Sequence, residues 1–444
     1  MKSIFAIFLL IIYLLIIWRL DVYTKPKQSS ALWLPLVWVV FLASKALSIW
    51  LYSLGIVDYT YFDIEEGSFI DRTFYICLII AGIYVLVNRR QSLYNIYSEN
   101  FWLFLLLLYA AISIAWSDIP YVAIKRFIKE IGNIVMVLVI LTDPNPLEAI
   151  RSILKKCSCI LIPLSCILIK YFPTIGRVYH KTTGKLMPIG VTTQKNGLGM
   201  LCLLSGMYIV WFITDRNNLK TKSSSLTDMS IHLVLLVMVL WLLQIANSST
   251  STICFIVGSI LLITLSLPAV RNYPYAVNLI ILITLIIFGI AEYLFELSNI
   301  ILLVFEKDST LTDRTVLWKD CIALIQNPFI GTGYDSFWSG KRLIVLWDNW
   351  WWQPNQSHNG YVETYLNLGL FGLVILACFI ISTWKNIAVA YTNIANDFSR
   401  YQYATFFVAL FYNWSEASFR GLSAMWFLLL MVSVRVTTSN SEKC

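Results

Sequence analysis

The feature that most constrains this chain is its series of continuous apolar runs, such as SFIDRTFYICLIIAGIYVLV and HLVLLVMVLWLLQIA. About 20 apolar residues cross a bilayer core as a helix, and a helix satisfies its own backbone polar groups where no water can. The runs are continuous rather than alternating, which excludes a transmembrane barrel. With 58% hydrophobic and 13% charged residues, the chain lies far from the soluble globular range. The reading is an all-α, polytopic transmembrane helical bundle of about 12–13 helices. Expected spans are 3–18, 31–54, 73–88, 101–117, 122–142, 153–171, 196–214, 230–246, 252–268, 275–295, 360–384, 402–416 and 421–436. Arg19 and LDVYTKPK follow the first run where a cleaved leader would have small residues, so it reads as a retained helix. Residues 1–444 form one transmembrane domain, because no Gly/Ser/Pro-rich linker divides them and no repeat is visible. Inserted in it is one large extracytoplasmic loop, 296–359, containing short interfacial helices.

Basic loops favour the cytoplasm. Here Lys and Arg are nearly balanced between the two sides; the acidic loop GIVDYTYFDIEEGSFID and the exempt length of 296–359 place the N-terminus and the large loop outside. Cations kept outside against that bias, among them Lys125, Arg126 and Lys129, point to an anionic substrate, or to lipid headgroups as the plainer alternative. Nothing points to nucleic acid. The nine cysteines show no metal-ligand spacing and read as buried apolar residues.

Four stretches concentrate polar chemistry. FPTIGRVYHKTTGKLMPIGVTTQKNGL runs into a helix whose first turn holds Lys195 and Asn196; a helix N-terminus with a nearby lysine, and Arg177 as a two-pronged donor, suits a phosphate or pyrophosphate. In DSTLTDRTVLWKDCIALIQ, Thr312 or Asp313 can cap a surface helix that carries Arg314, with Asp313, Asp335 or a substrate phosphate as its partner. The run WDNWWWQPNQ brings Trp347, Trp350, Trp351 and Trp352 together, as an interfacial belt or as a stacking platform for sugar rings. Then follows SHNG. His358, among polar neighbours, suits a general base taking a proton from a hydroxyl, oriented by Glu363 or Asp335; a histidine bonded to an interfacial carbonyl is the alternative. His180 is a further substrate-binding candidate, and His232 has no assigned role.

These motifs together resemble the O-antigen ligase and polysaccharide polymerase superfamily, and its exopolysaccharide-polymerase branch in particular. The resemblance rests on GRVYHKTTG followed by GVTTQKNGLG, on NSSTST, DRTVLW and NPFIGTGYDSFW, and on SHNGYVETYLNLGLFG, over residues 100–430. The last stretch fits His-Asn, nine residues, Gly, two residues, Gly through His358, Asn359, Gly369 and Gly372. Two departures stand out: thirteen spans where the family has twelve, and Trp318 where the family's Arg-x-x-x-Leu would put leucine after Arg314.

The resemblance implies an inverting glycosyl transfer, with no metal or other cofactor, on the outer face of a bacterial inner membrane. The donor is an oligosaccharide on undecaprenyl pyrophosphate and the acceptor a glycan hydroxyl. Catalysis then falls to His358 and Arg314, and substrate binding to Arg177, Lys195, Asn196, Asn359, Arg126 and Trp351. Membrane lipids, a flippase and a chain-length regulator are the implied neighbours. Polymerase is the favoured activity, and a ligase that moves the finished glycan to a lipid or protein is the alternative. A transporter or flippase is a second; it should show mid-helix charges and paired broken helices, and Lys45 is nearly the only such charge apparent.

Overall fold

The computed structural model describes residue 8 and residues 11–13, 29–57, 67–90, 93–179, 184–215, 226–271, 273, 275–276, 278–279, 310–393 and 397–436. Most of the expected spans 3–18 and 275–295, together with His180 and all of 296–309, lie outside the described residues.

Helices dominate, and the chain is an all-α membrane protein. In chain order they are α1 (Trp33–Leu42), α2 (Leu47–Ser53), α3 (Phe69–Asn88), α4 (Phe101–Ser113), α5 (Pro120–Leu141) and α6 (Pro146–Tyr171). A short antiparallel hairpin, β1 (Arg177–Tyr179) with β2 (Leu186–Pro188), precedes α7 (Lys195–Thr214), α8 (Leu226–Ala246) and α9 (Ser249–Ser266). Then come α10 (Thr310–Ala323), α11 (Gly340–Asn349), α12 (Gly360–Asn393), α13 (Asp397–Ser415) and α14 (Ala424–Ser433). Proline opens α5 and α6, where its missing N–H costs nothing.

Among the described residues six helices are long and apolar enough to cross a membrane, or seven if the bent α1–α2 pair is one span. The expected span 31–54 is that pair, bent by 63° at residues 43–46. The break is held from outside: Lys45 N donates to the Val191 carbonyl at 2.9 Å and Lys45 Nζ to the Ile175 carbonyl at 2.7 Å. Lys45 therefore sits in a break that is buried in protein, the setting in which non-helical backbone is tolerated at membrane depth. It is not nearly alone as a buried charge. Glu130 in α5 accepts from Trp426 Nε1 at 2.6 Å, and Lys155 in α6 pairs with Asp228 at 3.1 Å.

The segment between α9 and α12 folds, over residues 310–359, onto α12. That helix breaks at Gly369, with φ +64° and ψ −164°, and the turn segment 328–333 enters the break. Leu370 N donates to the Pro328 carbonyl, Phe371 N to that of Phe329, and Thr332 N and Gly333 N to those of Leu366 and Asn367. A Cβ on Gly369 would lie 2.4 Å from the Phe329 carbonyl, and one on Gly331 would lie 2.5 Å from Gly369 N, so the two chains approach this closely only through glycine. Asn367 Oδ1 accepts from Ser336 N and Phe337 N, which fixes the loop's path. A small separate core of Leu317, Cys321, Phe337, Leu346 and Leu366 then ties α10 and α11 to the first turns of α12. The expected short helices are present; α10 begins at Thr310, which puts Thr312 and Asp313 within its first turn rather than at its cap.

Candidate active site

SHNG is anchored by hydrogen bonds on both sides of the histidine. Ser357 N donates to Glu363 Oε2 at 2.9 Å, Trp318 Nε1 donates to the Ser357 carbonyl at 2.7 Å, and Ser357 Oγ donates to the Asn359 carbonyl. Asn359 Oδ1 accepts from Tyr361 N and Val362 N and so caps α12, while its Nδ2 donates to the Trp414 carbonyl. Between these anchors His358 has φ +55°, a left-handed conformation uncommon for a side-chain-bearing residue and concentrated at functional sites.

The imidazole faces a carboxylate that sequence reasoning missed. Glu416, just past the end of α13 and 7% exposed, has Oε2 at 3.5 Å from His358 Nδ1, and its Oε1 accepts from Asn196 Nδ2 at 2.8 Å. Gln356 Nε2 also lies 3.3 Å from Nδ1. An ionised carboxylate only accepts, so the arrangement that satisfies Glu416 puts the proton on Nδ1 and turns the Gln356 amide oxygen toward it. Nε2 is then the proton-accepting nitrogen. The expected orienting groups are otherwise engaged. Glu363 accepts from Ser357 N and from Trp338 Nε1, so it shapes the loop rather than the ring, and Asp335 pairs with Arg126.

Arg314 reaches the same place from α10. Its Nη1 donates to the Ser415 carbonyl at 2.9 Å, one residue before Glu416. Burial pulls this guanidinium below its ordinary pKa, and the Glu416 charge acts against that and favours the cation. Its partner among the described side chains is thus the Ser415–Glu416 corner, and Asp335 is paired with Arg126 instead.

Asn196 sits in the first turn of α7, as expected, beside Lys195, whose helix begins after Gln194. Next to this junction a cavity of about 190 Å³ opens between the α1–α2 break, the start of α7 and the 416–423 turn. Ser44, Thr192, Gln356 and Arg420 stand on its wall with Asn196 and Glu416. Polar groups thus converge from four distant parts of the chain, which suits a substrate rich in hydroxyl or phosphoryl oxygens.

Other expected site residues lie apart or are already occupied. Arg177 Nε donates to the Ile169 carbonyl at 2.7 Å, its recorded partner at the end of α6. Arg126 is paired with Asp335, at 3.6 Å through Nε and also through the Asp335 carbonyl. The Asn359 amide caps α12 through its oxygen and donates an N–H to the Trp414 carbonyl, and the residue is buried. Trp350 bonds Asp320 and Trp347 bonds the Pro354 carbonyl, so both serve the loop; Trp351 is 72% exposed and open to a ligand or a membrane. Trp352 lies 6.1 Å from the His358 ring. Among the described residues no group of three or more His, Cys, Asp or Glu is placed to hold a metal ion.

A multi-pass helical membrane protein with a histidine–carboxylate pair, a buried arginine and a polar cavity at one end is the class that fold and site define. Residues 233–377 match the family model described as O-antigen ligase. The chain is also 24% identical over 316 residues to the exopolysaccharide production protein ExoQ of Rhizobium meliloti (strain 1021), covering 68% of each chain. Both matches support the O-antigen ligase and polysaccharide polymerase superfamily and its exopolysaccharide branch, as the motifs do, and a ligase- or polymerase-type function. The matched segment contains Arg314 and His358; Asn196 and Glu416 reach the site from outside it. Asn196 was named from the sequence, whereas the signal for Glu416 was slight: WSEASFRG puts two charged residues between two apolar runs.

Proposed function

We propose that the protein is a polysaccharide polymerase acting on the outer face of a bacterial inner membrane. The donor is an undecaprenyl-pyrophosphate-linked oligosaccharide and the acceptor a sugar hydroxyl of a second glycan. The observation that carries this reading is the meeting of His358, Arg314 and Asn196 around one carboxylate, Glu416, beside a polar cavity.

His358 Nε2 takes the proton of the acceptor hydroxyl while its Nδ1–H is held toward Glu416, which also stabilises the imidazolium that forms. The acceptor oxygen bonds to the anomeric carbon, the bond from that carbon to the phosphate oxygen breaks, and the configuration inverts. The lipid pyrophosphate leaves with the electron pair. Arg314 and Lys195 stabilise the charge growing on it; one such contact is worth on the order of 3 kcal/mol in the transition state. The same site serves a ligase that transfers a finished glycan to a lipid or protein, because the chemistry at the anomeric carbon is unchanged.

The test is the size distribution of surface polysaccharide in a strain lacking the gene and complemented with wild type or His358→Ala at matched membrane levels. Long chains with wild type and single lipid-linked repeats with the mutant are expected. Full-length chains left on the carrier when the gene is absent would indicate the ligase. Normal polymer from the mutant would remove His358 from the chemistry and restore the transporter reading.

A further inference from the structure

The cavity beside His358 has a charge that the reading above leaves unused. Glu416 and Arg420 are its only ionic wall residues. Glu416 is committed: one oxygen accepts from Asn196, the other faces His358, and its charge favours the Arg314 cation. Arg420 is different. Its backbone N–H and carbonyl form the tight turn Ser418–Ser423, which aims the side chain inward, but among the described residues the guanidinium makes no hydrogen bond or ion pair. It senses the Glu363 carboxylate electrostatically. That carboxylate, though, already accepts from Trp338 Nε1 on one oxygen and Ser357 N on the other. The turn is fixed rather than loose: Ser418 N donates to Asn413 Oδ1, and the Gly421 carbonyl accepts from Asn133 Nδ2 of α5 at 2.7 Å.

A half-buried guanidinium with five donors, in a polar cavity whose carboxylates are all engaged, is a site for an oxyanion from outside the chain. We propose that Arg420 is a substrate-binding residue that holds phosphoryl oxygens of the lipid-linked donor and so seats the pyrophosphate beside His358. It takes the place expected of Arg177, whose Nε is bonded to the end of α6. The proposal rests on the glycosyl-transfer reading, which supplies the pyrophosphate. A membrane phospholipid headgroup offers the same phosphoryl chemistry, and the experiment separates the two.

The full-length protein, purified in detergent, is titrated calorimetrically with inorganic pyrophosphate, so that binding is read without turnover. Arg420→Gln should weaken binding at least about tenfold, the scale of a lost charge-assisted two-pronged contact. Arg420→Lys, which keeps the charge and loses the fork, should weaken it by a few-fold, and His358→Ala should leave it unchanged. Wild-type affinity in Arg420→Gln overturns the proposal; if that variant does not fold, wild-type affinity in Arg420→Lys does so. Nanodiscs of phosphatidylcholine and of phosphatidylglycerol should give equal affinities, whereas loss of the Arg420-dependent binding in phosphatidylglycerol would assign the site to a phospholipid. Because no transfer is measured, pyrophosphate binding that depends on Arg420 in a protein whose His358→Ala variant still polymerises would sink the catalytic reading and leave this one standing.

Discussion

The two ends of α7 treat charge in opposite ways. At its C-terminal end Arg151 pairs with Asp215 at 2.6 Å and with Glu148 at 2.8 Å and covers Trp211, and Lys155 of α6 pairs with Asp228. Nearby Arg89 pairs with Asp143 at 3.4 Å. Each of these three cations faces a carboxylate, the usual way to keep charge inside a membrane protein, while Arg400 at the same end donates to the Thr214 carbonyl. At the N-terminal end a single carboxylate, Glu416, is shared by an amide, an imidazole and the field of an arginine, and Arg420 has no ion pair among the described residues. One end is neutralised to hold helices together. The other keeps unspent donors beside a cavity, which is what a site for an anionic substrate requires.

Substitutions at the two ends should therefore separate stability from rate. The largest effect is expected from Arg151→Ala, which leaves Asp215 buried without its nearest cation and should lower stability by roughly 3–5 kcal/mol in denaturant titrations. The transfer rate per folded molecule should not change. Arg314→Ala should do the reverse, slowing transfer about a hundredfold, near 3 kcal/mol in the barrier, with a far smaller loss of stability. Glu416→Gln keeps an acceptor for Asn196 but removes the charge that favours the imidazolium; about a tenfold drop in kcat with donor KM nearly unchanged is expected. The smallest change should come from Asn196→Ala, which deletes one hydrogen bond to Glu416 and should cost about 1 kcal/mol, several-fold in rate. Equal losses of stability and rate at both ends would erase the distinction.

Helix positions were legible because each run must be apolar along its length and the bilayer fixes that length: the spans expected at 196–214 and 73–88 appear as α7 and α3. The breaks were less so. Residues 43–46 lie in a run that reads as one span, and what opens it is the docking of Val191 and Ile175, more than 125 residues away, onto Lys45. Such a break, with the buried Glu130, was expected of a transporter. Here the first break lines the cavity, while the break at Gly369 receives the segment 328–333. In the site, His358 and Arg314 were marked by residue type in a polar stretch. Glu416 was not: a carboxylate at a helix end has no local signature, and only the meeting of the 415–416 corner with Asn196, Arg314 and His358 reveals what it serves.

The most direct test is a single-turnover assay with purified protein and a lipid-linked oligosaccharide, comparing wild type with His358→Ala and following release of the lipid pyrophosphate. Release by wild type and a loss of at least about a hundredfold in the mutant, with donor binding retained, are expected. Release at the wild-type rate would show that His358 is held at φ +55° for some purpose other than proton transfer.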